Sequence, residues 1–227
     1  MKKTFKMLAL VAMGAALAMT ACGKDDDGTE SAEWVDLGLP SGLLWAKCNL
    51  GASAPEEYGD YYAWGETTTK SVYNWSTYKY CNGDYDQLTK YCDNSNYGDN
   101  GFTDNLTTLL AMDDAATQAL GSGARIPTRE EWNELINNTT SEWTTQNDKY
   151  GRKLTSKTNG RSLVLPAAGL RWGSELSGAG EYGYYWSSSL YAGDPGGAWF
   201  FYFYSGDQYM NYFYRDDGRS VRAVRQN

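Results

Sequence analysis

The chain has 227 residues, no histidine, and 28 acidic against 20 basic side chains, a formal charge of −8. Without histidine, the common Ser-His-Asp and Cys-His nucleophile systems are excluded, as is zinc held by imidazole. The negative charge repels phosphate backbones and argues against nucleic acid as a partner.

In chain order, basic MKKTFK is followed by apolar MLALVAMGAALAM and by small residues before Cys22. That arrangement predicts a secretory signal over residues 1–21, too short for a spanning helix, which needs about 20 apolar residues. LAMTAC resembles a lipobox with Cys22 as the lipidated residue, although Met19 departs from the usual Leu, Val or Ile. GKDDDG resembles the export signal that sends lipoproteins of gut Gram-negative anaerobes to the outer leaflet. Residues 22–32 then form a lipidated cysteine and an acidic tether, residues 33–227 form one domain, and the expected location is the outer membrane, facing outward. Loss of Lys2, Lys3 and Lys6 leaves 17 basic against 28 acidic residues, a net charge of −11.

Three further cysteines follow. Cys81 and Cys92 either bridge a short loop or remain thiols, while Cys48, beside Trp45 and Leu50, reads as a small buried hydrophobe. WVDLGLPSGLLWAKC predicts two short strands around the turn LPSG. Residues 51–105 read as long surface loops over an aromatic understorey of Tyr61, Tyr62, Trp64 and Trp75. One helix is expected near Asp113 to Leu120, stopping at Gly121. A second follows Pro127, where Thr128 and Glu131 make a capping box and Trp132, Leu135 and Ile136 share a face. Beyond Asn138, short β segments are expected around Trp143, Leu154, SLVLP, YGYYWSSS, AWFFYFYS, QYMNYFY and SVRAVR. The fold class is α+β: two helices packed on short antiparallel strands, rich in loops.

No CxxC pair and no phosphate-binding glycine loop is present. The Asp/Asn-rich loop from Asp93 to Asp104 lacks the ligand spacing of an EF-hand. No cofactor and no metal is expected.

Ala198 to Asp217 reads AWFFYFYSGDQYMNYFYRDD, and ten of these twenty residues are aromatic. Alternation predicts Trp199, Phe201 and Phe203 on a core side and Phe200, Tyr202 and Tyr204 on an exposed side. Three adjacent exposed rings are a patch that implies a ligand. The candidate binding positions are Tyr191, Asp194, Phe200, Tyr202, Tyr204 and Asp207, then Tyr209, Asn211, Tyr212, Phe213, Tyr214, Asp216 and Asp217. With Gly193, Gly196, Gly197 and Gly206 they use only Tyr, Phe, Gly, Asp and Asn, the chemistry of a paratope. Each of these residues is reachable from the Asn codon AAC by changing adenines alone.

The frame YWSSSL, AW.F.F.S and R..G.SVRAVR resembles the C-terminal variable region, here 186–225, of target proteins of diversity-generating retroelements. WVDLGLPSGLLWAKCNLGA, RIPTREEWNEL and LPAAGLRW extend the resemblance over nearly the whole mature domain, to surface lipoproteins carrying that frame. The resemblance implies a C-type lectin-like fold of the branch shared with formylglycine-generating enzyme. It implies a surface-displayed binding protein, adhesin- or receptor-like and not an enzyme, whose partner is a protein or a cell-surface glycan. The oxidase of that branch needs a late cysteine pair, and there is no cysteine after Cys92. The Glu-Pro-Asn, Gln-Pro-Asp and Trp-Asn-Asp tripeptides of calcium-dependent lectins are absent. Two alternatives stand beside this reading: a structural or fimbria-associated surface module, and a glycan-active enzyme with two converging carboxylates.

Overall fold

The structure is a computed structural model that describes residues 34–121 and 123–227. The expected signal, the Cys22 lipidation site and the tether lie outside the described residues.

Strands β1 (Trp34–Asp36) and β2 (Leu44–Ala46) pair antiparallel around the LPSG turn, as the sequence predicts. The late strand β12 (Val224–Arg225) inserts between β2 and β3 (Ala124–Arg125). Of SVRAVR only Val224–Arg225 is a strand, and Arg222 just before it is fully buried. Its guanidinium donates to the carbonyls of Ala46 (3.0 Å) and Val164 (3.1 Å) and to Asn49 Oδ1 (2.7 Å). One buried cation thus collects acceptors from two separate segments, since its many donors would be costly if left unpaired.

A second sheet has the order β4-β5-β6, with β4 (Thr139–Gln146), β5 (Lys149–Ser156) and β6 (Ser162–Pro166). The β4–β5 turn puts Asn147 and Asp148 at φ 46° and 60°, the left-handed conformation that short polar residues tolerate and tight hairpins require. The hairpin of β7 (Leu170–Trp172) and β8 (Glu175–Ser177) stands apart. The sheet that carries the aromatic stretch is β11-β10-β9, formed by β9 (Gly183–Leu190), β10 (Gly197–Phe203) and β11 (Gln208–Tyr214). All these pairings are antiparallel. Strands β3, β7 and β8 are too short to show a periodicity in the sequence.

Both expected helices are present. Helix α1 (Ala115–Leu120) is capped by Asp114, whose carboxylate accepts from Thr117 N, and it stops at Gly121 with φ 88°. Helix α2 (Arg129–Asn138) opens with the reciprocal Thr128–Glu131 capping box. Trp132 and Leu135 are fully buried, and Ile136 packs at the rim of the same cluster. The architecture is therefore mostly β: many antiparallel strands in small sheets, with two α-helices.

The β9–β11 sheet has apolar contacts on both faces. On one face Tyr185, Phe201 and Phe203 join Trp132 of α2, Trp45 and Leu154. Gly183 makes that packing possible, because a Cβ there would fall 2.1 Å from the Phe203 ring. On the other face Trp186 and Phe200 meet the expected understorey, with Tyr61, Tyr62 and Trp64 buried and Trp75 at its rim. A buried Asp113 ties the loop layer down: it accepts from the Tyr91 hydroxyl (2.6 Å), the Tyr80 hydroxyl and the Lys90 ammonium.

The cysteines differ from a bridged arrangement. Cys81 and Cys92 are free thiols; each donates to a separate carbonyl, Trp75 O at 3.0 Å and Asn94 O at 3.2 Å. Cys48 is buried against Ala52, as expected of a small hydrophobe.

Candidate ligand-binding site

The ladder between β10 and β11 decides which aromatic side chains meet. Tyr202 lies opposite Tyr209, Phe200 opposite Asn211, and Ala198 opposite Phe213. Directly opposed residues in an antiparallel pair project to the same face. Phe200, Tyr202, Tyr209, Asn211 and Phe213 therefore share one face with Tyr184 of β9. With Trp172, Leu170, Tyr214, Asp217 and Arg219 they line a groove of about 620 Å³.

The groove grades from a dry floor to a wet rim. Phe200, Asp217 and Arg219 form the floor, at 2 %, 5 % and 1 % exposure. Tyr184 and Tyr202 are half-buried walls, with ring centroids 5.2 Å apart. Tyr209, Phe213, Tyr214 and Trp172 form the exposed rim, and Trp172 is 68 % exposed. Burial and the neighbouring tyrosines push the Tyr202 hydroxyl up to about 12, so it stays a protonated donor at neutral pH.

Several expectations need correction here. Phe200 is core rather than exposed: its ring meets Trp186 edge-on at 5.9 Å, and the Arg219 guanidinium lies 3.8 Å over it. The loop layer and the closing segment cover the sheet at that level, so the alternation is real but its second face is closed there. Trp199, expected in the core, is only half-buried. It sits where the β9–β10 register shifts between Ala198 and Phe200, and it carries Arg129 at 3.8 Å over its ring.

Asp216 and Asp217 are also buried rather than displayed. Asp217 pairs with Arg219 Nη2 at 2.9 Å. Asp216 Oδ1 has no partner among the described residues, and burial, then the neighbouring Asp217, pushes its carboxyl up to about 7. Burial likewise raises Asp217 and pulls Arg219 down to about 10.

The remaining expected positions lie outside the groove. Tyr191 stacks on Tyr212 at 3.5 Å with planes 6° apart, on the opposite face beside Trp199. Tyr204 faces a separate cleft with Trp143, Tyr150 and Tyr182. Asp207 is exposed at the β10–β11 turn, where it accepts from Gln208 N at 2.7 Å. Asp194 lies beside Tyr97 and raises its hydroxyl. The loop holding Gly193 is pinned by Asp93, which accepts its N–H (3.0 Å), and by Asn94, which donates to its carbonyl (3.1 Å).

Sequence reasoning missed Leu170, Trp172, Tyr184 and Arg219. Trp172 had one signal, an aromatic residue directly before a glycine in a short polar hairpin. That hairpin is held in place by paired main-chain bonds between Arg171 and Gly218 and between Gly173 and Tyr73.

A family described as a domain of unknown function (DUF8237) matches residues 138–224. That span is similar to the family and contains every strand of the groove. No curated protein and no solved structure matches the chain.

Proposed function

We propose that this chain is a surface-displayed binding protein, adhesin- or receptor-like, that takes a macromolecular ligand into the groove on β10 and β11. The observation that carries the reading is the rim: Trp172, Tyr209, Phe213 and Tyr214 are all at least 40 % exposed around one cavity. A soluble domain rarely leaves contiguous rings in water unless a partner covers them. Tyrosine adds large, stiff, amphipathic area at low entropic cost, as in antibody loops. Catalysis has less support, because Asp217, the carboxylate in the groove, is held by Arg219.

In this reading the mostly β architecture is C-type lectin-like, the variable region of a retroelement target protein spans 186–225, and Cys22 carries the lipid anchor on the outer face of the outer membrane. The partner is a protein or cell-surface glycan, without a cofactor. Incorporation of labelled fatty acid that disappears in Cys22→Ser tests the anchor.

The binding reading is tested with the full chain against a glycan array and against intact cells. The triple variant Trp172→Ala, Tyr209→Ala, Phe213→Ala is expected to lose at least about tenfold in binding while its melting temperature shifts by only a few degrees. Undiminished binding, or collapse of the fold, refutes the reading.

A further inference from the structure

The outer edge of β11 has a hydrogen-bonding pattern that can be worked out residue by residue. Tyr204 N donates to Asp207 O (3.0 Å) at one end of the ladder, and Arg215 N donates to Gly196 O (3.1 Å) at the other. In an antiparallel pair, bonded and non-bonded residue pairs alternate. With the unbroken register between β10 and β11, the bonded β11 positions are Tyr209, Asn211 and Phe213. Gln208, Met210, Tyr212 and Tyr214 therefore turn their N–H and C=O groups away from β10.

Two of those outward amides have local acceptors. Gln208 N donates to Asp207 Oδ1 (2.7 Å) and Tyr212 N to Asn211 Oδ1 (2.9 Å). The amides of Met210 and Tyr214, and the carbonyls of all four outward residues, have no partner among the described residues. The strand is seven residues long and contains neither proline nor a charged side chain, the usual devices that keep an edge from pairing.

We propose that β11 binds an extended, basic polypeptide segment as an added strand. This deepens the binding reading above and rests on it, since alternate side chains of such a segment enter the same groove. Main-chain bonds supply affinity in this mode, and pockets beside the edge supply selectivity. Basic character follows from charge complementarity. The chain carries −8 overall, Asp207 stands exposed at one end of the strand, and the aromatic rim offers ring faces to ammonium or guanidinium groups. The same charge disfavours a second copy, whose β11 would bring like charges together.

The test pans a phage-displayed library of random peptides against the full chain and follows amide hydrogen exchange with a recovered peptide bound. Lys/Arg-rich peptides are expected, and the Met210 and Tyr214 amides are expected to exchange at least about tenfold more slowly in the complex. Tyr214→Pro and Met210→Pro, each removing an outward N–H, are expected to weaken that peptide by about tenfold or more while leaving the β10 ladder intact. Phe213→Pro breaks a ladder bond and serves as the destabilised control. Recovery of no peptide, or binding that leaves both amides unprotected, overturns the proposal. So does protection of these amides by self-association alone, seen as a dimer in sedimentation. Glycan-array binding lost in the rim triple variant, with neither amide protected, retains the binding reading and rejects the added strand.

Discussion

The Arg219 guanidinium lies 3.8 Å above the ring of Phe200 while its Nη2 sits 2.9 Å from Asp217. These residues form one buried unit at the floor of the groove, and their burial gives the unit a structural role that the exposed rim lacks. Removing the ring leaves a cavity and strips the cation of its cover. Phe200→Ala is expected to cost about 3–5 kcal/mol in urea unfolding, whereas Tyr209→Ala at the rim stays within about 1 kcal/mol. Equal costs at the two positions contradict the assignment of floor and rim.

The ion pair itself supplies a second expectation. A buried pair loses more when one partner is removed than when both are replaced by apolar groups, because the survivor keeps an uncompensated charge. Asp217→Leu is expected to destabilise by about 3–5 kcal/mol, and Arg219→Met in the same chain to recover most of it. A double-mutant cycle by chemical denaturation checks this, and additive costs contradict it.

Asp216 gives the pH dependence a definite sign. Its folded pKa is raised to about 7 by burial and by Asp217, against about 3.9 in an unfolded chain. Between these values the folded state holds a proton that the unfolded state has released. The stability that Asp216 contributes is therefore greatest below about pH 4 and is lost as pH rises toward 7, by up to about 1.4 kcal/mol per pH unit. Asp216→Asn remains neutral throughout, so the wild-type chain should lose stability relative to it across that window. A constant difference between the two counts against the buried, unpartnered carboxyl.

Asp113 acts in the opposite direction. Burial pushes its carboxyl up, but hydrogen bonds from Lys90, Tyr80 and Tyr91 outweigh it and leave the pKa below the usual value. That stabilisation is present above about pH 4 and fades as pH falls through the folded value. Asp113→Asn is expected to flatten the acid limb of the stability profile and to loosen the loop layer. Faster amide exchange at Leu110, whose N–H is held by the Tyr91 hydroxyl, is the direct readout.

The cost of a single methyl group checks the sheet packing. Gly183→Ala places a Cβ against the Phe203 ring, and overpacking of this kind costs about 1–3 kcal/mol. A neutral outcome in thermal unfolding contradicts the close approach of β9 and β10.

The local elements were readable because their causes are local. The Thr128–Glu131 box, the cap at Asp114, the stop at Gly121 and the turn LPSG each lie within a few residues of the element they define. Period-two alternation likewise put Phe201 and Phe203 on the core side. Alternation assigns a residue to a face, however, and says nothing about what covers that face. Phe200 and Tyr202 share a side, yet one is sealed under Arg219 and the other lines an open groove, because the loop layer and the RDDGRS segment reach only partway along the sheet. Asp216 and Asp217 share the spacing of the displayed positions around them, yet both are buried, and Asp217 lies among Leu170, Tyr184, Phe200 and Arg219, which sequence spacing alone does not bring together. Composition and local pattern determined which residues are aromatic, capped or extended. Long-range packing alone decided which rings face water, and which edge of β11 stays unpaired.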